Sequence, residues 1–340
     1  MIHSKELSSQ RHVSLREQIV NSFRAIISHS ILGPLTALLL VSLLFSIGTF
    51  GAFLSFANFQ TILSLSGLLA ITTLGSSSVI LIGGIDLSAE GVIALSAIVC
   101  GLLVKNPKTA TDLGFWALPI AMFVGAGAGC INGLINTTLK IPSFIATLGM
   151  WFATLGLSVI ISRGQTTPLL DPRLQQLANG TFLGIPNITI IAAILFLTLM
   201  LVQKRTALGK YIFAIGGDES LAKQAGINVT LVKVIVFAIA GCFYGISAFF
   251  IVSRLNVANP TLSKGMLFPA ITATVVGGTS LSGGIGGALN AFIGALVVTA
   301  LNNGMVLMHL SPYIQGAVNG IVLILAVAIT MDRQKIGMIK

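Results

Sequence analysis

Long, uninterrupted apolar runs dominate this sequence from about residue 31 to residue 331. Only 8% of the 340 residues are charged, whereas a soluble globular domain carries roughly 25%. So few charges cannot cover a surface that faces water, and we expect lipid around most of the chain. Lipid offers no partners for backbone N–H and C=O groups, so continuous rather than alternating apolar runs predict membrane-spanning helices.

The number of apolar runs sets the predicted fold. A spanning helix needs about 20 apolar residues, and ten stretches come close to this length. The run at 266–279 is the shortest, and it could instead be a broken or re-entrant helix. We therefore predict an all-α integral membrane protein with about ten transmembrane helices. The candidate spans are 31–51, 60–83, 86–104, 115–138, 143–162, 186–203, 232–254, 266–279, 284–303 and 308–331.

Lysine and arginine residues predict the orientation, because cytoplasmic loops carry an excess of them. With ten crossings and the N-terminus inside, 13 of these residues lie inside and 6 outside. Both termini are then cytoplasmic. Residues 1–30, which lack the apolar core of a signal peptide, are predicted to be an amphipathic cytoplasmic segment. We expect 31–331 to form the polytopic membrane domain and 332–340 to form a cytoplasmic tail. The net charge of +10 does not indicate nucleic-acid binding, since the basic residues are dispersed and flank the apolar runs.

A weak internal repeat suggests two related halves. The sequence GGIDLS at 83–88 resembles GGTSLS at 277–282, and each copy lies between two apolar runs. Transporters are often built from such repeats, with broken helices near the pathway. Chance similarity in a glycine-rich apolar sequence is the alternative.

The predicted cytoplasmic loop 204–231 contains the signature of a short helix. Asp218 can cap its start, Glu219 lies in its first turn, and Gly226 can close its end. A helix of two turns is too short to be stable alone. Either the loop merely joins two spans, or this helix docks into another protein.

Two acids, Asp86 and Glu90, lie where the second run ends and the third begins. Acids within a membrane are functional candidates, but Asp86 could instead cap the third helix at the cytoplasmic interface. A chain of acids and histidines, as an ion-driven carrier needs, is absent from the sequence. The sequence also lacks a P-loop, HExxH, GxSxG or Cys/His cluster. We therefore expect no enzymatic activity, no catalytic residues, and no cofactor or metal in this chain.

Four stretches together resemble a known family. They are GIDLS at 84–88, IPSFIATLG at 141–149, the loop 206–229, and VVGGTSLSGG at 275–284. In order and spacing they resemble the membrane permease subunits of bacterial ribose-type ATP-binding-cassette importers, from about residue 31 to 331. Ala89 and Glu90 depart from the family pattern, which usually has Val-Gly there.

The resemblance implies a transmembrane subunit that imports a monosaccharide across the bacterial inner membrane. Its implied partners are a second permease chain, as a homo- or heterodimer, a periplasmic sugar-binding protein, and cytoplasmic ATPase subunits that bind ATP and Mg. The loop 218–226 matches the family's coupling helix, which implicates Asp218, Glu219, Ala222, Lys223, Ala225 and Gly226 in contact with the ATPase. The alternatives are a self-sufficient secondary transporter, or a permease for another small solute such as a branched-chain amino acid.

A neutral sugar needs a pathway with few strong polar groups, so that it is released as well as bound. The polar residues near span ends and breaks predict where such a pathway lies. The three serines could instead bond to their own helix backbone. The candidates are Ser76, Ser77, Ser78, Asn302, Asn303 and Gln315.

Overall fold

The computed structural model of the chain describes residues 31–330, with the side chains of 31–328. The expectations for the segment 1–30 and the tail 332–340 concern residues outside this described part. Thirteen α-helices account for most of it. In chain order they are α1 Leu32–Gly48, α2 Phe56–Leu81, α3 Ala89–Leu103, α4 Ala117–Thr138, α5 Ser143–Ser162, α6 Pro172–Asn179, α7 Asn187–Arg205, α8 Ala207–Gly217, α9 Glu219–Gln224, α10 Val229–Leu255, α11 Leu267–Val276, α12 Ala288–Leu307 and α13 Pro312–Thr330.

Short elements complete the described fold. Two-residue strands pair as antiparallel ladders, β1 with β4 and β2 with β3. Single-turn 3₁₀ helices precede α2 and α4. These elements are β1 Thr167–Pro168, β2 Thr181–Phe182, β3 Ile185–Pro186, β4 Val257–Ala258, and the 3₁₀ helices Ala52–Leu54 and Gly114–Trp116.

The helices confirm the predicted all-α membrane fold. Six helices in the described part are long and apolar enough to cross a membrane, and α1, α3, α11 and α13 are shorter apolar helices. The short run at 266–279 forms α11, which has ten residues. At 1.5 Å per residue, α11 is about 15 Å long, roughly half of a hydrocarbon core. It is therefore a half-length helix, and the number of full crossings stays a prediction.

Helices α4 and α10 pack closely against each other. A methyl group added at Gly125 would overlap the backbone of Gly241, and one at Gly129 would overlap the backbone of Phe237. Without side chains at these points the two helices approach each other closely, which is how small residues stabilise helix pairs in membranes. The outward faces remain apolar, with Leu39 70% and Ile160 74% exposed, as lipid contact requires.

Helix α10 also defines the two ends of the bundle. Beyond its last residue, Leu255, the strand β4 pairs with β1. Near its start, Lys233 forms an ion pair of 2.7 Å with Glu219 of α9. We call these the ladder end and the α9 end.

Candidate functional site

The two copies of the repeated motif meet in the structure. The first copy, 83–88, connects α2 to α3, and the second, 277–282, connects α11 to α12. The amide of Gly284 donates a 2.9 Å hydrogen bond to the carbonyl of Leu81, the last residue of α2. The sequence similarity therefore corresponds to two adjacent loops, which we call the motif loops.

Hydroxyl groups of α5 hold the first motif loop. The amide of Ile85 donates to Ser143 Oγ at 3.0 Å, and the amide of Leu87 donates to Thr147 Oγ1 at 2.9 Å. Both hydroxyls belong to the stretch IPSFIATLG. Loop backbone between apolar helices needs such partners, because an unpaired backbone group is costly in lipid. Two of the stretches noted in the sequence are thus parts of one structural unit.

A chain of hydrogen bonds connects Asp86 to three helices. Its Oδ1 accepts from the Ser88 amide at 2.8 Å and from the Ser88 hydroxyl at 2.6 Å, and its Oδ2 accepts from Tyr244 OH at 3.1 Å. Asn132 Nδ2 donates to Ser88 Oγ at 3.0 Å. Ser76 Oγ lies 3.2 Å from Tyr244 OH. Tyrosine has a single hydroxyl hydrogen, which points to Asp86, so Ser76 must be the donor in this last bond.

This network does not fit one of the two alternatives considered for Asp86, in which it caps α3 at the cytoplasmic interface. The N-cap residue of α3 is Ser88, and its side chain makes no capping hydrogen bond. Tyr244 lies 15 residues after the start of α10 and 11 before its end, about 22 Å and 16 Å along the axis. Asp86 is buried near mid-length because α2 ends at Leu81 and the motif loop turns inward. The third helix accordingly begins at Ala89 rather than at residue 86.

Glu90 makes a separate connection. Its Oε1 accepts from the amides of Gly265 and Leu267 at 2.8 and 3.1 Å. A carboxylate at this position pairs the free N–H group of Leu267, the first residue of α11, and the N–H group of Gly265 just before the helix. The departure from the family pattern at Glu90 therefore has a structural consequence, since it fastens the half-length helix α11 to the first turn of α3.

A cavity of about 190 Å³ lies between α2, α11, α13 and the two motif loops. Ser76 and Asp86 are the polar residues among its described lining, and the rest are apolar. Phe268 of α11 lines the cavity and is 58% exposed. Sequence reasoning missed both Tyr244 and Phe268. A tyrosine within an apolar run is a weak signal, since its buried hydroxyl needs a partner, and Phe268 has no distinguishing signal.

The six candidate pathway residues do not converge on one place. Ser76 lines the cavity. Ser77 and Ser78 both donate to the carbonyl of Leu74 in their own helix, at 3.1 and 2.9 Å, which is the alternative considered for them. Their role in a pathway stays a prediction.

The other three candidates lie on α12 and α13. Asn302 Oδ1 accepts from Asn319 Nδ2 at 2.8 Å, and Gln315 Nε2 donates to the carbonyl of Leu310 at 2.8 Å. Asn303 is buried, and its Oδ1 has no hydrogen-bond partner among the described residues. These three residues are separate from the cavity, and their part in a pathway also stays a prediction.

The short helix expected in the loop 204–231 is present as α9. Asp218 Oδ1 accepts from the amides of Ser220 and Leu221 at 2.8 and 3.0 Å, and Gly226 ends the turn with φ of +83°. An additional helix, α8, precedes α9 and was not anticipated. Leu221 of α9 and Ala225, one turn later and just beyond the last residue of the helix, are exposed, and we call this side the open face of α9. Lys223 is also exposed.

The predicted coupling residues differ in how far they are exposed. Ala222 is 4% exposed, so it packs against this chain rather than facing a partner. Glu219 is held by its ion pair with Lys233. Leu221, which the sequence reasoning did not select, is 61% exposed. Helix α9 therefore rests on its own chain through Ala222 and presents Leu221 outward.

Known proteins resemble this chain over most of its length. The family described as a branched-chain amino acid transport system permease component matches residues 58–327. The ribose import permease protein of Bacillus subtilis is 37% identical over 311 residues, 89% of this chain and 93% of that protein. The corresponding Escherichia coli K12 protein is 34% identical, with 83% and 88% covered.

A further relative is named for a different sugar. The galactose/methyl galactoside import permease protein of Haemophilus influenzae is 31% identical, with 82% of this chain and 87% of that protein covered. No solved structure matches the chain. The chain is therefore a multi-pass membrane permease of this family, of the ribose type found in ATP-binding-cassette importers.

Proposed function

We propose that this protein is the transmembrane subunit of an ATP-driven importer that carries a monosaccharide across the inner membrane. The observation that carries the proposal is the similarity to ribose import permeases along more than four-fifths of the chain. The galactose-named relative supports a small sugar as the solute class without selecting one. A branched-chain amino acid is the second candidate, since the matching family is described by that substrate.

The cavity fits a neutral solute better than a charged one. Phe268 offers an apolar ring face, and the C–H face of a sugar packs well against such a ring. Asp86 and Ser76 are the polar lining residues, but both carboxyl oxygens of Asp86 already accept hydrogen bonds within the chain. A solute therefore meets few strong polar groups, which favours release. We propose that this cavity is part of the translocation pathway.

Partner subunits follow from the same proposal. The α9 end faces the cytoplasm, and an ATPase subunit that binds ATP and Mg docks against the exposed face of α9. A sugar-binding protein delivers the solute at the ladder end, on the outside. A second permease chain, identical or related, completes the pathway, and both termini are cytoplasmic. ATP hydrolysis takes place in the partner rather than in this chain.

Uptake into proteoliposomes tests the proposal. The permease is reconstituted with its ATPase subunit and its sugar-binding protein, and uptake of labelled ribose, galactose and leucine is measured. ATP-dependent uptake of a sugar is expected. ATP-dependent uptake of leucine alone would select the second candidate. Uptake by the permease alone, driven by an ion gradient, would indicate a secondary transporter instead.

A further inference from the structure

Three backbone segments touch at glycine residues near the α9 end. The segments are the end of α2 with the first motif loop, the end of α8, and the loop that follows the second motif. Gly83, Gly216 and Gly283 lie at the contact, and Gly284 bonds to Leu81 beside them. We call this contact the glycine junction.

Geometry leaves no room for side chains at the glycine junction. A methyl group at Gly216 would overlap the carbonyl oxygen of Leu81 and the amide nitrogen of Gly284. At Gly283, where φ is +83°, a methyl group would lie 2.7 Å from the nitrogen of Gly83 and 2.9 Å from the oxygen of Gly216. Only glycine adopts this conformation freely and permits this approach. The three backbones are thus in direct contact.

Each segment continues directly into a functional element. Gly216 lies two residues before Asp218, the cap of α9. Gly83 lies two residues before Ile85, which lines the cavity, and Gly283 lies two residues after Leu281, which also lines it. Backbones in contact cannot move independently, because close-packed interiors transmit displacement rather than absorb it. A shift of α9 therefore reaches both motif loops through the glycine junction.

We infer that the glycine junction transmits the movement of α9, driven by the ATPase, to the two loops that line the cavity. Gly216 is then a positioning residue for transport. This inference rests on the proposed function, because it requires an ATPase that acts on α9. Packed elements often have two stable positions rather than a continuous range of positions. A small displacement of α9 at the glycine junction can therefore switch the motif loops from one arrangement to the other.

The competing explanation is that the glycines only allow tight packing. The two explanations differ in one measurable quantity, the amount of sugar taken up per ATP hydrolysed. A packing defect lowers the yield of folded complex, but it leaves this ratio unchanged in the complexes that survive. A defect in transmission lowers the ratio itself, while the ATPase remains bound and active.

The first experiment compares Gly216→Ala with Gly217→Ala in the reconstituted complex. Gly217 is the neighbouring residue of the same helix end, but a methyl group there meets nothing within 4 Å. We expect Gly216→Ala to lose most of the uptake per ATP hydrolysed and Gly217→Ala to keep the wild-type ratio. An unchanged ratio in Gly216→Ala, at any yield of complex, would overturn the inference.

A second pair of variants tests the same inference if Gly216→Ala does not fold. Gly283→Ala combines a positive φ with close contacts, whereas Gly164→Ala has a φ of +67° but nothing within 4 Å. A lowered ratio in Gly283→Ala alone supports transmission, and equal ratios in both variants contradict it. If the wild-type complex itself shows no ATP-dependent uptake, the proposed function fails, and that result is distinct from the loss of coupling in one variant.

Discussion

The hydroxyl of Tyr244 donates a 3.1 Å hydrogen bond to Oδ2 of Asp86, which lies 158 residues earlier in the chain. This bond joins the longest helix, α10, to the first motif loop beside the cavity. The bond therefore helps to hold the motif loop inside the bundle, together with the hydroxyl groups of α5.

Removal of the Tyr244 hydroxyl tests this relationship. Tyr244→Phe leaves one buried carboxyl oxygen of Asp86 without its donor, which costs about 1–3 kcal/mol of the free energy of unfolding. We expect a lower Tm for the purified protein in lipid nanodiscs. Tyr313→Phe is the control, since Tyr313 is 89% exposed. Equal Tm values for the two variants would mean that the bond contributes nothing.

Thiol labelling tests which serine faces the pathway. Native cysteines Cys100, Cys130 and Cys242 are replaced first. We expect Ser76→Cys to react with a small water-soluble reagent, because Ser76 lines the cavity. Ser77→Cys is the matched control, since Ser77 is fully buried and bonds to its own helix. The hypothesis fails if the Ser77 variant reacts as fast as the Ser76 variant.

The open face of α9 supplies a test of docking. Leu221→Glu and Ala225→Glu place a charge on this face, and we expect loss of ATPase binding with normal insertion of the permease. A charge at the buried Ala222 would disturb the packing of the chain itself and would be harder to interpret. Leu183→Glu, at an 87% exposed position of the β2–β3 turn, is the control. Co-purification of the ATPase is the measurement, and unchanged recovery with both α9 variants would place the docking surface elsewhere.

Orientation can be tested at three positions. A reporter fused after Lys340 is expected to be active only in the cytoplasm, as the distribution of basic residues predicts. In intact cells, an impermeant thiol reagent should label Lys108→Cys, at the ladder end, and should not label Lys223→Cys, on α9. Labelling of the α9 variant alone would show that the orientation is the opposite of the one predicted. A periplasmic reporter at Lys340 with normal labelling would mean an odd number of crossings.

The cap of α6 gives a prediction about pH. Its N-cap Asp171 accepts hydrogen bonds from Arg173, and these bonds, reinforced by the charge of Arg173, hold the pKa of the carboxyl below its ordinary value. A lowered pKa stabilises the fold above the unfolded value of about 4, and this contribution is lost as pH falls through the folded value. We expect Asp171→Asn to unfold at a lower Tm than wild type near pH 6.

The same difference should shrink as the pH falls below about 4. Asparagine can still cap α6 through its amide oxygen, so the variant removes the charge rather than the cap. Thr61→Ala is a suitable control, because Thr61 is exposed and bonds only within its own helix in the described structure. A Tm difference that does not depend on pH would show that the Asp171 charge has no role.

Sequence alone predicted most of the helices and the short helix after Asp218. Both depend on local signals. Apolar runs must be helical in lipid because the backbone has no other hydrogen-bond partners. The cap at Asp218 requires only the amides of the residues two and three positions ahead. The similarity between the two GG motifs was also visible in the sequence, although their contact was not.

The tertiary structure decided the depth and the partners of the polar residues. The lengths of the neighbouring apolar runs place Asp86 at a span end, so the sequence leaves open whether it caps a helix at an interface or acts within the membrane. The early end of α2 at Leu81 and the hydroxyl of Tyr244 in α10 place it inside the bundle. Serines 76 and 77 are adjacent in sequence, but only Ser76 lines the cavity, because neighbouring residues of a helix point about 100° apart. Hydrogen bonds between residues more than 150 positions apart depend on how the helices pack, and no local pattern encodes that packing.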